Sequence, residues 1–242
     1  RTLQLLNHFE ISKPLTSYHE HNKHEKGEYI ISLLKNGKNI VLVSDAGTPA
    51  ISDPGEDLVK LCIENDIDVT SIPGPVAGIN ALILSGLPTR RFAFEGFLSV
   101  NKRHRKEHLE LVKNDTHTLI FYEAPHKLKN TLSDMQKTFG GDRKIALVRE
   151  LTKIHETVMN TTLSKAAEYY GENNPRGEYV LVVEGAKEVE ETEENEWENI
   201  SIKEHVDKYI AEGMTSKDAI KKAAADRNLP KRDVYNEYHR GE

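Results

Sequence analysis

The 242-residue sequence predicts an α/β protein with a small all-helical domain at its C-terminal end. Three observations carry that expectation. Short apolar runs alternate with segments of helical period through most of the chain, the pattern of parallel strands joined by crossover helices. Turn-forming glycines and prolines cluster at the ends of those runs. Beyond a glutamate-rich strip the pattern becomes purely helical.

The expected strands are 39–44 (NIVLVS), 69–73 (VTSIP), Thr118–Glu123, Lys144–Arg149 and 179–184 (YVLVVE). Helical periodicity falls between them at 55–65, 75–85, Pro125–Phe139 and 164–171. Pro75 and Pro125 lie near first-turn positions, where a missing N–H costs no hydrogen bond. The C-terminal helices are expected at Ile202–Ala211, 216–227 and 231–239. Thr215 or Ser216 supplies a cap for the second of these, and Pro230 after the polar turn 227–229 sets up the third. The last two therefore resemble a helix-turn-helix, with a plain packing bundle as the alternative.

Composition narrows the class. With 37% hydrophobic and 30% charged residues, the chain suits a soluble globular protein rather than a disordered one. Its longest apolar stretch, 77–87, is broken by Asn80, Ser85 and Gly86 and is too short to span a bilayer. One cysteine, Cys62, excludes an intrachain disulfide and a cysteine-based zinc site, which points to a reducing, cytoplasmic setting. The N-terminus lacks a secretory pattern, and Arg1 is not an initiator methionine. Residues 185–198 carry seven glutamates against one lysine, which equals the whole net charge of −6. The remainder is near neutral, and a neutral body with local basic patches is compatible with RNA.

The most informative segment is SDAGTPAISDPG, from Ser44 to Gly55, placed between an apolar run and a helix. Ligands bind at the carboxyl ends of strands in α/β sheets, and Gly47 allows close backbone approach. Asp45 is suited to an amino group, and the amides from Ala46 to Thr48 to a carboxylate. The plain alternative is a turn ending in a helix cap, Asp53-Pro54-Gly55. Three further strand-end clusters follow: IPGPVAG (72–78), FYEAPH (121–126) and GEYVL (177–181). Each is weak alone, but four on one sheet edge would form one crevice. His19, His21 and His24 invite a metal reading, yet HEHNKH lacks the H-E-x-x-H spacing, and no metal is expected.

Together SDAGTPAISDPG, PGPVAG, FYEAPHKL, RELTKIHE and GEYVLVVEG, in this order, resemble the tetrapyrrole-methylase superfamily and, within it, the group that modifies small-subunit ribosomal RNA. SYHEHN (17–22) and GFLSVNKRHRK (96–106) are also similar to that group. Family members begin with a strand and a PIGN-like loop, whereas this chain opens at RTLQLLNHFEI, so the resemblance implies an N-terminally incomplete chain. It further implies a two-lobed fold with mixed sheets, divided as 1–87 and 88–185, an acidic linker at 186–200 and a helical, RNA-binding-like domain at 201–242. S-adenosylmethionine is then expected against Asp45, Ala46, Gly47, Thr48, Ile51, Val76, Ala77, Tyr122, Glu123 and Tyr179. The implied reaction is 2′-O-methylation of a cytidine ribose in the decoding region of 16S ribosomal RNA by a homodimer. Candidate base or orienting groups are Glu20, His21, Glu123, Glu150, Lys153 and Glu156, against the alternative of surface ion pairs. Candidate RNA contacts are Arg90, Arg91, Lys102, Arg103, Arg105 and Lys106, since Lys and Arg hold phosphates without regard to sequence. Two other readings stay open: a sister enzyme acting on a small molecule or modified protein, and a non-catalytic dimeric RNA-binding module.

Overall fold

A computed structural model describes residues 2–187, 197 and 200–240. The chain divides into two compact units, Arg1–Lys187 and Glu188–Glu242. The first holds α1 (Thr2–His8), α2 (Lys23–Lys35), α3 (Gly55–Glu64), α4 (Ala77–Ser85), β1 (Phe92–Phe97), α5 (Lys102–Val112) and β2 (Thr118–Glu123). It continues through α6 (Pro125–Phe139), β3 (Lys144–Arg149), β4 (Thr157–Thr162), α7 (Leu163–Glu172) and β5 (Tyr179–Val183).

The five strands form one mixed sheet in the order β1-β2-β5-β3-β4. Only β1 and β2 are parallel neighbours; β5 lies antiparallel between β2 and β3, and β4 is antiparallel to β3. Periodicity points to parallel strands with crossover helices; the sheet is mixed, as the family resemblance implies. Helix α6 does return the chain in the direction of β2, but the short turn after β3 forces β4 to run back, and β5 then fills the gap. The central strands are apolar on both faces because both are covered. Leu119, Phe121, Leu147 and Leu181 pack with α5, α6 and α7, whereas Ile120, Val148, Val180 and Val182 pack with Ala81 and Leu82 of α4. Helices α2 and α3 form a separate cluster around Ile30, Ile31, Leu58 and Cys62.

Segments 39–44 and 69–73, expected as strands, run without ladder pairing, and Val41 and Ile72 are 83% and 79% exposed. A β-branched run becomes a strand only where a neighbour completes its hydrogen bonds, and neither segment has one among the described residues. Helices α1, α2 and α5 and strands β1 and β4 lie outside the elements that periodicity predicted.

The second unit contains α8 (Ile202–Ala211), α9 (Ser216–Asp226) and α10 (Lys231–Tyr238) around Val206, Ala219, Ile220, Ala223 and Val234. Ser201 and Glu204 form a capping box at α8, and Thr215 caps α9 through the Asp218 amide. Arg227, at the end of α9, donates to the carbonyls of Trp197 (2.7 Å) and Ile200 (2.6 Å) and to Nδ1 of His205 (3.1 Å). The His205 ring stacks on Trp197 at 5.0 Å, so one arginine and one ring pair close the bundle. Most of the acidic linker expected at 186–200 lies outside the described residues. Among the described residues no helix is long and apolar enough to cross a membrane.

Candidate functional site

The loop after 39–44 is shaped by short polar side chains. Ser44 Oγ donates to the carbonyls of Ala46 (3.1 Å) and Gly47 (2.8 Å), which turns the chain sharply. Gly47 has φ of 76°, and a Cβ there would stand 2.8 Å from the carbonyl oxygen of Pro75. Only glycine meets both conditions without movement. Thr48 then donates twice to that same oxygen, from its amide at 2.9 Å and its hydroxyl at 3.2 Å. The loop ends as the plain alternative anticipates: the Asp53 carboxylate accepts from the amides of Ala50 and Gly55 and fixes the start of α3. Asp45, Ala46, Gly47 and Ile51 remain exposed on its outer side.

The second loop leads into α4, and Gly78 N donates to the Tyr122 hydroxyl at 3.0 Å. Three of the sequence clusters are thus joined in series: residues 44–48 to Pro75, the start of α4 to Tyr122. Val76 and Ala77 stand between these ties, half-buried and exposed respectively. Backbone groups and small side chains are thus left open along the cradle of these two loops. Tyr122 is flanked edge-on by Phe94 (5.0 Å) and Phe97 (5.5 Å), two rings that sequence reasoning missed.

Glu123 and Tyr179 lie at the same sheet edge but turn to the other face. Glu123 is 2% exposed; its carboxylate accepts from the Ala124 amide (2.9 Å) and Thr131 hydroxyl (2.5 Å) and pairs with Lys127 (3.2 Å). Tyr179 is buried against Tyr170, with its hydroxyl accepting from the Arg176 amide. Because successive side chains of a strand point to opposite faces, neither side chain can line the wall that Tyr122 lines. Any contact from Glu123 or Tyr179 to a donor on the Tyr122 side would have to come from their backbone.

The β3–β4 turn gathers Glu150, Lys153 and Glu156. Glu150 Oε1 accepts from the Glu178 amide (2.8 Å) and Lys153 Nζ (3.0 Å), Lys153 also reaches Glu178 (2.9 Å), and Glu156 accepts from the Thr152 amide (2.6 Å). The Glu178 amide, followed by Lys153, holds the Glu150 carboxyl below its usual range, which weakens it as a proton acceptor near neutral pH. Glu178 and Glu150 in turn raise the Lys153 ammonium. Glu20 pairs with Lys23, which also meets Asp57 of α3, and His21 lies edge-on to His19. Among the described residues no hydrogen bond or ion pair joins Glu20 or His21 to the 150–156 turn.

Of the basic candidates, Arg90, Arg91, Lys102, Arg103 and Lys106 are exposed, Arg91 donating to His117 and Arg103 pairing with Glu107. Arg105 is different. It is 8% exposed and spends its guanidinium on Asp134 (2.9 and 2.8 Å) and the carbonyls of Ser99 and Val100. Arg105, expected among the RNA contacts, braces α5 against α6 in this structure. Among the described residues no three His, Cys, Asp or Glu side chains gather as metal ligands do.

Comparison with known proteins places the chain in a family. A family model described as Tetrapyrrole (Corrin/Porphyrin) Methylases matches residues 2–167. Proteins named Ribosomal RNA small subunit methyltransferase I are similar to the chain: one from Bacillus subtilis is 51% identical, with 99% of this chain and 82% of that protein covered. Another, from Synechocystis, is 45% identical over 97% of this chain and 83% of its own length. Among solved structures, diphthine synthase aligns with a TM-score of 0.54 at 13% identity, covering 75% of this chain and 73% of that one. The methyltransferase CobJ aligns at 0.52 and 16%, covering 73% and 75%. These two likenesses speak for the fold. Methyltransferases of this family use S-adenosylmethionine as methyl donor. The chain belongs to the tetrapyrrole methylase family, within its ribosomal RNA small subunit methyltransferase I group.

Proposed function

We propose that this chain transfers a methyl group from S-adenosylmethionine to the 2′-hydroxyl of a cytidine ribose in the decoding region of 16S ribosomal RNA. The observation that carries the reading is the series of ties from Thr48 through Pro75 and Gly78 to Tyr122, which links the 44–48 loop and the start of α4 to strand β2. The amides of residues 46–48, with Asp45 and Ile51, would hold the amino-acid end of the donor, and Val76, Ala77 and Tyr122 its flat ring. Once bound, S-adenosylmethionine supplies an electrophilic methyl carbon on a sulfonium.

What the protein must add is alignment. A ribose hydroxyl is a poor nucleophile, and a general base supplies about 10²–10⁴-fold, whereas correct positioning reaches effective molarities of roughly 10⁵–10⁸ M. The candidate groups fit this weighting, because Glu123 and Glu150 are committed to internal hydrogen bonds. Exposed Arg90, Arg91, Lys102, Arg103 and Lys106 would meet RNA phosphates. In this reading residues 1–87 carry the first two loops, 88–185 the third with the basic segment, 186–200 link, and 201–242 assist in RNA binding. The working form is a cytoplasmic homodimer acting on the small subunit. Incubation with labelled S-adenosylmethionine and either small ribosomal subunits or tetrapyrrole precursors tests it. Label in the RNA is expected; label confined to the tetrapyrrole would replace this reading with the small-molecule one.

A further inference from the structure

Two of the three rings around the cradle are exposed for a structural reason. Phe94 pairs with Ile120 and Phe97 with Tyr122, and the register slips between Phe94 and Gly96. Residues three apart on a regular strand point to opposite faces. The slip inserts Glu95 as an extra residue, and this β-bulge brings both phenylalanines to the α4 face. Glu95 points the other way and is latched to Nε2 of His108 on α5 at 2.7 Å. Phe94 and Phe97 are 37% and 54% exposed and both pack T-shaped against Tyr122, whose hydroxyl is itself tied to Gly78. Lys127 holds the Phe97 ring from below, with Nζ 5.6 Å from its centroid. A bulge, a latch and an anchored tyrosine thus hold two part-exposed aromatic rings side by side next to the cradle.

We propose that Phe94 and Phe97 form a stacking platform for unpaired nucleobases of the RNA acceptor, so that the target ribose is placed by its own base and a neighbour. This rests on the RNA-methylating reading above. Sequence-specific RNA recognition works largely by splaying single-stranded bases onto aromatic side chains, and every base offers a π face. Tyr122 belongs to the donor wall; the two phenylalanines belong to the acceptor.

The test uses the full chain with small ribosomal subunits and compares wild type, Phe97→Leu, Phe97→Trp and Phe94→Leu. Donor affinity is read by calorimetry, kcat and KM for the RNA by methyl transfer, and folding by melting temperature. Leucine keeps apolar volume and removes the π face, so kcat/KM for RNA is expected to fall on the order of tenfold to hundredfold. Donor affinity and melting should hold, and Phe97→Trp should restore transfer. Phe97 is the decisive position, because its ring is more than half exposed and leucine keeps apolar contact with Tyr122. Unchanged kcat/KM in Phe97→Leu overturns the proposal, and so does a parallel loss of donor affinity, which would assign the rings to the donor. Absence of RNA methylation by wild type would instead sink the functional reading, and the platform with it.

Discussion

Replacing Gly47 by alanine tests the cradle at its tightest point. The backbone there has φ of 76°, which costs an L-residue about 1–2 kcal/mol. The new methyl group would also stand 2.8 Å from the Pro75 carbonyl, so the two loops must part. Parting them weakens the bonds from Thr48 to that oxygen, each contributing about 0.5–1.5 kcal/mol. The cost of holding the cradle shape is then about 2–3 kcal/mol, or roughly 30- to 150-fold in donor affinity. In the free protein the exposed loop can relax, so melting should shift by no more than a few degrees. Calorimetry with S-adenosylmethionine on wild type and Gly47→Ala measures the difference directly. Affinity within twofold of wild type would refute the argument that this loop contact shapes the donor site.

Three further outcomes are expected. Gly177 has φ of 78° and lies under the Glu150 side chain, so Gly177→Ala should displace Glu150 from the Glu178 amide. The backbone alone costs about 1–2 kcal/mol, and at about 2–4 °C per kcal/mol the melting temperature should fall several degrees; an unchanged melt counts against this packing. Arg105→Ala removes one partner of a buried ion pair and should destabilise by about 3–5 kcal/mol, seen in denaturant unfolding. Arg103→Ala should instead change stability by about 1 kcal/mol or less while flattening the salt dependence of RNA binding; the reverse ranking would restore Arg105 as a phosphate contact. Stability of the helical unit should decline in acid. Burial first, then the Arg227 cation, lower the His205 pKa from its usual 6.5, with Lys208 and Lys222 adding and Asp226 opposing. The unfolded chain therefore takes up the proton first, so the contribution is present above pH about 6.5 and is lost as pH falls below it. Melts of wild type and His205→Gln across that range should diverge in slope, and parallel curves would remove His205 as the cause.

The fold was legible where burial is two-sided. TLIFYE, KIALVR and YVLVV carry unbroken apolar runs on both faces through their centres, and they form β2, β3 and β5. What escaped was local irregularity. FAFEGF has a glutamate and a glycine where alternation should continue, because β1 carries a bulge, and TVMNTT is a polar edge strand with little apolar signal. NIVLVS and VTSIP misled in the opposite sense, since composition cannot state whether a neighbour will complete a ladder. In the site, SDAGTP meets PGPVAG although the apolar runs before them pair in no ladder among the described residues, so the strand-end expectation does not account for the contact. The facing of Glu123 away from Tyr122 follows from strand period alone and was available in the sequence once β2 was drawn. Arg105 was not separable from its neighbours in NKRHRK, because its partner Asp134 lies 29 residues away on another helix. Phe94 and Phe97 were hidden for the same reason as β1, since only the register slip puts them side by side.

The proposed methyl transfer to a ribose oxygen of small-subunit RNA can be read from the RNA itself. Small subunits methylated with labelled donor can be stripped to RNA and hydrolysed in alkali, which cleaves only where the 2′-hydroxyl is free. The account predicts that the label survives in an alkali-stable dinucleotide whose 5′ residue is cytidine. Label released as a mononucleotide would place the methyl group on a base, and label absent from RNA would remove the acceptor altogether.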